Sequence, residues 1–104
     1  MLTIIESQLF TKLWPEYWSA EEHGEFAVYI ACTPDAGNLI KGSGGCRKIR
    51  WTRQGMGKSG GVRVIYTVIL KHGAIVLLTI YSKSEQDSIP ANILRKIAEE
   101  LDYD

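Results

Sequence analysis

Basic residues are concentrated in one segment of this chain, between Lys41 and Lys83. The segment holds nine bases and no acid, whereas the forty residues before it hold one base and six acids. Clustered cations repel one another, and a polyanion is the usual reason for such a cluster in a chain of zero net charge. The segregation therefore predicts a nucleic-acid-binding surface. The alternative is a set of solvated strand faces whose charges are screened by salt.

The spacing of these bases indicates how they could share a surface. Lys48 and Arg50 are two residues apart in an alternating segment, so a β-strand would point both to one face. Arg63 opens the next apolar run, and Tyr81 and Lys83 close the run after it. Antiparallel pairing of these runs predicts a sheet face with several cations and one phenol.

Residue types that other chemistries require are scattered. His23 and His72 are far apart, and Cys32 and Cys46 form no CxxC pair, so we expect no metal site and no cofactor. The glycine-rich residues 42–45 precede a strand rather than a helix, which argues against a phosphate-binding loop. No nucleophilic serine stands on a strand-to-helix elbow.

Length and hydropathy bound the class of protein. A chain of 104 residues, 45% of them hydrophobic, can bury an ordinary core as a single domain over residues 1–104. No apolar run approaches the roughly 18 residues of a membrane span, and no basic leader precedes an apolar stretch at the N-terminus. We expect a cytoplasmic protein with reduced thiols that has no membrane partner.

Periodicity and capping signals predict an α+β fold. The order is an N-terminal strand, two helices, a central antiparallel sheet of three strands and a C-terminal helix. Ser7 is predicted to cap the first helix, which Pro15 ends, and Ser19 with Glu22 forms a capping box for the second. The expected strands are residues 2–5, 46–52, 62–70 and 74–81; the expected helices are 7–13, 19–31 and one from Ser88; residues 53–61 are expected to form a loop.

The aromatic residues have two possible roles. Trp14, Tyr17 and Trp18 could form a stacking platform for bases, but such a cluster is more often core, and we assign it there. We assign Tyr29, Trp51 and Tyr66 to packing as well, and treat Cys46 as a small hydrophobe. The acidic residues Glu21, Glu22 and Glu25 are expected to form a solvated helix face.

Three segments, taken in order, resemble the RelE/ParE toxin superfamily, and most of all its HigB-like branch. They are KGSGGCRKIR at 41–50, GMGKSGGVRVIY at 55–66 and LLTIYSK at 77–83. The resemblance implies a RelE-like fold and the toxin of a type II toxin–antitoxin system. It implies an endoribonuclease that cuts mRNA on the translating ribosome without a metal. The implied partners are a cognate antitoxin, mRNA and the ribosome.

The resemblance also implies the site. The family's catalytic bases correspond to Lys48, Arg50, Arg63 and Lys83, with Tyr81 beside them. The implied reaction is attack of a ribose 2′-OH on the adjacent phosphate, which requires a base, cations around the phosphate and an acid for the leaving oxygen. Residues assigned to RNA binding are Arg47, Arg53 and Lys58.

Roles within this set can be ranked by chemistry. Lys48 suits the general base better than Arg50, because neighbouring cations favour its uncharged amine. Arg63 would hold the phosphate oxygens with its planar fork. Either Lys83 or Tyr81 would lie near the leaving oxygen.

Two other functions remain open at this point. In the ParE branch the same fold is thought to inhibit gyrase without the basic sheet residues. An inactive nucleic-acid-binding module is the other alternative, since binding and cutting surfaces use the same residue types.

Overall fold

The computed structural model describes residues 2–51 and 61–82, in which two helices pack on one face of a five-stranded mixed sheet. The strands are Thr3–Glu6 (β1), Asn38–Leu39 (β2), Cys46–Trp51 (β3), Val62–Ile69 (β4) and Ala74–Ser82 (β5). The helices are Gln8–Leu13 (α1) and Ala20–Cys32 (α2), with short 3-10 turns at Trp14–Glu16 and Leu70–His72. The predicted α+β class is confirmed.

Both helices begin where their capping residues predict. The Ser7 hydroxyl accepts a hydrogen bond from the Phe10 amide at 3.0 Å. At α2 the Ser19 hydroxyl accepts from the Glu22 amide at 3.2 Å, and the Glu22 carboxylate accepts from the Ser19 amide at 2.9 Å. This reciprocal pair is the predicted capping box, and it satisfies amides that the first turn of a helix leaves open.

The same contact corrects one expectation. Glu22 is buried, whereas Glu21 and Glu25 are exposed, so the predicted solvated acidic face holds for those two residues only. Glu22 is drawn inward because its carboxylate must reach back to the start of its own helix.

The central strands β3, β4 and β5 are antiparallel, as predicted. Two features of the sheet were not predicted. β1 pairs with β5 in the parallel direction, which makes the sheet mixed. The two-residue strand β2 pairs with β3 through Asn38 opposite Lys48 and Leu39 opposite Arg47, and it is too short to leave a periodic signal.

A bulge in β5 joins the sheet to α1. Ile65 pairs with Thr79 and Tyr66 pairs with Leu77, so Leu78 is the extra residue. The Leu78 carbonyl accepts a hydrogen bond of 2.7 Å from the Ser7 hydroxyl, the same group that caps α1. One side chain therefore fixes the start of the helix on the irregular part of the strand.

The helices cover an aromatic core on one face of the sheet. Phe10, Trp18 and Phe26 are buried there, and Trp14 and Tyr17 pack against them at the margin. Further buried members from the sheet are Ile49, Val62, Val64, Tyr66, Ile75, Leu77 and Ile80. The prediction that Trp14, Tyr17 and Trp18 belong to the core, rather than to a base-stacking surface, is confirmed.

Several predictions fall on residues outside the described ones: the glycine-rich loop, the C-terminal helix, and the side chains of Arg53, Lys58 and Lys83. Within the described part, no helix has the length and apolarity to cross a bilayer. His23 forms an ion pair with Glu6 and stacks on Trp14 with ring centroids 4.1 Å apart. Across residues 2–51 and 61–82, no cluster of histidine, cysteine and acidic side chains could hold a metal ion.

Candidate nucleic-acid interface

The strand register assembles the predicted basic residues on the sheet face that lies opposite the helices. Arg50 of β3 is directly opposite Arg63 of β4, which is directly opposite Tyr81 of β5. The neighbouring row on the same face contains Lys48, Ile65 and Thr79. The alternation of β3 therefore places Lys48 and Arg50 together, as predicted, and the pairing adds Arg63 and Tyr81. We call this surface the basic face.

Exposure falls across the basic face from β3 towards β5. Arg50 is exposed, and Lys48 and Arg63 are half-buried. Ile65, Thr79 and Tyr81 are buried, with exposures of 1%, 4% and 4%. The accessible cations thus form a strip at the β3 side of the sheet, and a ligand reaches them from that side.

The two opposed arginines repel each other electrostatically. Residues directly opposite each other in an antiparallel pair have Cβ atoms about 5 Å apart, and like charges in such positions are destabilising. The whole segment from Lys41 to Lys83 contains no acid that could separate them along the strands. An arrangement of this kind is suited to a ligand with closely spaced negative charges, such as the phosphates of a nucleic acid.

Tyr81 is the unusual member of the basic face. Its hydroxyl is buried, and it has no hydrogen-bond partner in the described structure. Burial raises the pKa of Tyr81, an effect that the charge of Arg63 partly offsets. The phenol therefore stays protonated at neutral pH and releases its proton less readily than an exposed tyrosine. Because the hydroxyl is buried, it does not line the accessible strip.

Arg47, predicted to bind RNA, lies on the other face of β3. Its guanidinium donates a hydrogen bond of 2.7 Å to the Gly37 carbonyl. The neighbouring Tyr66 hydroxyl donates to the Pro34 carbonyl and accepts from the Gly37 amide, both at 2.8 Å. Arg47 and Tyr66 therefore tie the segment that follows α2 to the sheet, and the structure does not place Arg47 with the other cations.

Gly37 allows this close approach because it has no side chain. A Cβ on Gly37 would stand 2.8 Å from the Tyr66 hydroxyl and 2.9 Å from the Lys48 carbonyl. Such distances are not tolerated, so any other residue would push the segment away from β3. Gly37 thus allows the segment after α2 to pack directly against β3 beside Lys48.

The glycine-rich segment before β3 is a turn between strands. Gly42, Gly44 and Gly45 have φ angles of 77°, 77° and 105°, which glycine adopts readily. The buried Ser43 hydroxyl donates to the Ile40 carbonyl at 2.6 Å and accepts from the Cys46 amide at 3.0 Å. These contacts direct the chain from β2 into β3, in line with the prediction that the segment is not a phosphate-binding loop.

Cys46, where this turn ends, is fully buried. Burial raises the pKa of the Cys46 thiol, which keeps the thiol neutral and unreactive. This agrees with its assignment as a small hydrophobe.

A groove of about 500 Å³ adjoins the strip at the β3 edge. Tyr29 and Trp51 line it from the helix side of the sheet, and Lys48 and Arg50 from the basic face. The sequence did not single out Tyr29 as a surface residue, because its spacing three residues after Phe26 is typical of core. The structure shows that Tyr29 is 41% exposed.

Comparison with known proteins identifies the fold. No protein-family model matches the chain. A chain of the intact E. coli RelBE toxin–antitoxin complex matches with a TM-score of 0.59 at 20% identity, over 77% of this chain and 94% of that one. A double arginine-to-alanine mutant of E. coli toxin RelE in the free state matches with a TM-score of 0.61 at 20% identity, over 83% of this chain and 87% of that one.

The isolated E. coli RelE toxin gives the same result, with a TM-score of 0.60 at 16% identity over 97% of this chain and 99% of that one. The chain therefore has the RelE fold.

Proposed function

We propose that this chain is the toxin of a type II toxin–antitoxin pair, of the HigB-like branch of the RelE/ParE superfamily, and that it cuts mRNA on the translating ribosome in the cytoplasm. The observation that carries the proposal is the row formed by Arg50 and Arg63, with Lys48 beside it, on the accessible strip of the basic face. The RelE fold and the three sequence segments that resemble the family support it.

The reaction that suits these residues is a transesterification within the RNA strand. Lys48 removes the proton of a ribose 2′-OH, and the 2′ oxygen attacks the adjacent phosphorus. Arg63, assisted by Arg50, stabilises the additional negative charge on the phosphate oxygens, since two guanidinium forks fit such a group. The P–O5′ bond breaks, the 5′ oxygen receives a proton, and the products are a 2′,3′-cyclic phosphate and a 5′-hydroxyl. The step requires no metal.

The proton for the leaving oxygen has two candidate donors. The pKa of Tyr81 is raised by burial, so its hydroxyl is protonated, but it is covered in the described structure. Lys83 follows Tyr81 by two residues in the sequence, and the family resemblance assigns it to the site. We therefore assign the acid role to Lys83, and assign to Tyr81 the support of Arg63 from the adjacent strand.

A cognate antitoxin is the second partner in this proposal. A surface of opposed arginines is best neutralised by a segment that carries acids, and an acidic or amphipathic antitoxin segment would cover the basic face. RelE of E. coli has been crystallised with its antitoxin in the RelBE complex, which supports such a partnership for this fold.

Expression of the chain in bacteria tests the function. We expect growth arrest together with new cuts in translated messages, in frame with the codons, for the native chain. Arg63→Ala and Lys48→Ala should abolish both effects. Lys12→Ala is the matched control, since it also removes one positive charge but lies exposed on α1, and it should remain toxic.

Two results would contradict the proposal. Arrest without RNA cuts would identify a gyrase-type poison, as in the ParE branch. Absence of arrest from a folded and well-expressed chain would identify an inactive binding module.

A further inference from the structure

The groove beside the basic face crosses the edge of the sheet. β2 covers β3 only as far as Lys48, so the outer edge of β3 continues past its partner through Ile49, Arg50 and Trp51. The groove opens at this part of the edge. It therefore connects the accessible cations with the aromatic residues on the helix side.

The helix side of the groove is an aromatic surface. The rings of Tyr29 and Trp51 lie in contact, with centroids 5.2 Å apart and planes tilted by 46°. Trp51 also packs against the buried ring of Phe26 in a T-shaped arrangement, with ring centroids 5.2 Å apart. Tyr29 is 41% exposed, so its ring, which packs against Trp51, remains accessible to a planar ligand.

The chemistry of the remaining lining suits one nucleotide. Lys48 and Arg50 also line the groove, and their positive charges would stabilise a phosphate there. Asn38, in the same lining, offers an amide that can both donate to and accept from a base edge. The described lining residues include no acid, and a volume of about 500 Å³ lies in the range of small-molecule sites.

We propose that this groove is a nucleotide-binding subsite for single-stranded RNA, in which a base stacks on Tyr29 against Trp51 while its phosphate contacts Lys48 and Arg50. The RNA strand then leaves the basic face across the outer edge of β3. This inference rests on the proposed function, because it extends the same RNA path beyond the cleaved bond. It makes Tyr29 the base-stacking residue at that position.

The test measures binding rather than cleavage. A short single-stranded 2′-O-methyl RNA, which has no free 2′-OH to react, is titrated into the native chain at low salt. We expect Tyr29→Ala to weaken binding roughly fivefold or more, because one base-stacking contact contributes that much or more to affinity. Tyr29→Phe should retain the native affinity, since the ring performs the stacking. The control Val28→Ala alters the adjacent residue, which is 59% exposed and does not line the groove.

A series of the same RNA with one abasic position, moved along the strand, identifies the stacked base. One position should weaken binding to the native chain by the same factor as Tyr29→Ala. That position should have no further effect on the Tyr29→Ala variant, because the base and the ring form a single contact.

Two results would overturn the inference. Equal RNA affinities for Tyr29→Ala and Val28→Ala would exclude the groove as a subsite. If Arg63→Ala weakened RNA binding in the same experiment, the basic face would still be the RNA-binding surface. Failure of the native chain to bind the RNA at low salt would also exclude the subsite. The proposed function would then still be tested independently by mRNA cleavage in cells that express the chain.

Discussion

Arg50 and Arg63 lie directly opposite each other on adjacent antiparallel strands, on the same face of the sheet. Arg63 is also directly opposite Tyr81, whose buried hydroxyl has no hydrogen-bond partner among the described residues. Like charges in directly opposite positions repel each other, and a buried hydroxyl without a partner loses its hydration uncompensated. Such features concentrate at functional sites. They lead to predictions in which stability and function change in opposite directions.

The first prediction concerns Arg50→Gln. Removal of one of two opposed charges relieves their repulsion, which contributes about 0.2–1 kcal/mol to the free energy of unfolding, and toxicity should fall. Urea denaturation measures the free energy of unfolding. Arg47→Gln is the control on the same strand, because it breaks the bond to the Gly37 carbonyl and should lower stability by about 1–3 kcal/mol. A clear loss of stability in Arg50→Gln would show that Arg50 serves the fold instead.

The two buried tyrosines should respond differently to the loss of a hydroxyl. Tyr66→Phe leaves the Gly37 amide and the Pro34 carbonyl without their bonds to the ring, so we expect a loss of about 1–3 kcal/mol. Tyr81→Phe removes an unsatisfied hydroxyl and should be neutral or stabilising. Thermal unfolding of both variants checks the contrast. If Tyr81→Phe destabilises as much as Tyr66→Phe, the Tyr81 hydroxyl has a structural partner.

Stability should also fall at alkaline pH. Burial raises the pKa of both Tyr66 and Tyr81 above their ordinary value of 10.0. The unfolded chain therefore loses these protons first, so the contribution is complete below about pH 10 and is lost as the pH rises through the raised values. Denaturation at a series of pH values measures the slope. Tyr81→Phe should make the slope shallower, and an unchanged slope would contradict the prediction.

RNA binding should depend strongly on salt. Each cation that contacts a phosphate of a single strand contributes about 0.7 to the slope of log affinity against log salt. Lys48→Ala should therefore reduce that slope by about 0.7, whereas Lys12→Ala should leave it unchanged. The titration uses the same uncleavable RNA at several salt concentrations. Equal slopes for the two variants would remove Lys48 from the phosphate path.

Local signals allowed much of the fold to be predicted. The capping serines, Pro15 and the alternation of β3 each act over a few residues, and each placed its element correctly. The parallel direction of β1 was not predictable in this way, because it depends on contacts between residues some seventy positions apart, such as Thr3 and Ala74. β2 was missed because two residues have no period.

The candidate site, too, could be predicted from local signals only in part. Alternation alone showed that Lys48 and Arg50 share a face. The pairing of Arg50 with Arg63 required the register between β3 and β4, which depends on contacts between the two strands and not on a local pattern. The burial of the Tyr81 hydroxyl and the exposure of Tyr29 depend on tertiary packing, which no local pattern reports.

The measurement that tests the central claim most directly is the chemistry of the new RNA ends. RNA from cells that express the native chain, Arg63→Ala or Lys12→Ala is sequenced by a method that captures only 5′-hydroxyl ends. Attack by a 2′-OH predicts in-frame 5′-hydroxyl ends in translated messages for the native chain and Lys12→Ala, and their absence in Arg63→Ala. Cuts that carry 5′-phosphates, or 5′-hydroxyl ends that persist in Arg63→Ala, would contradict the account.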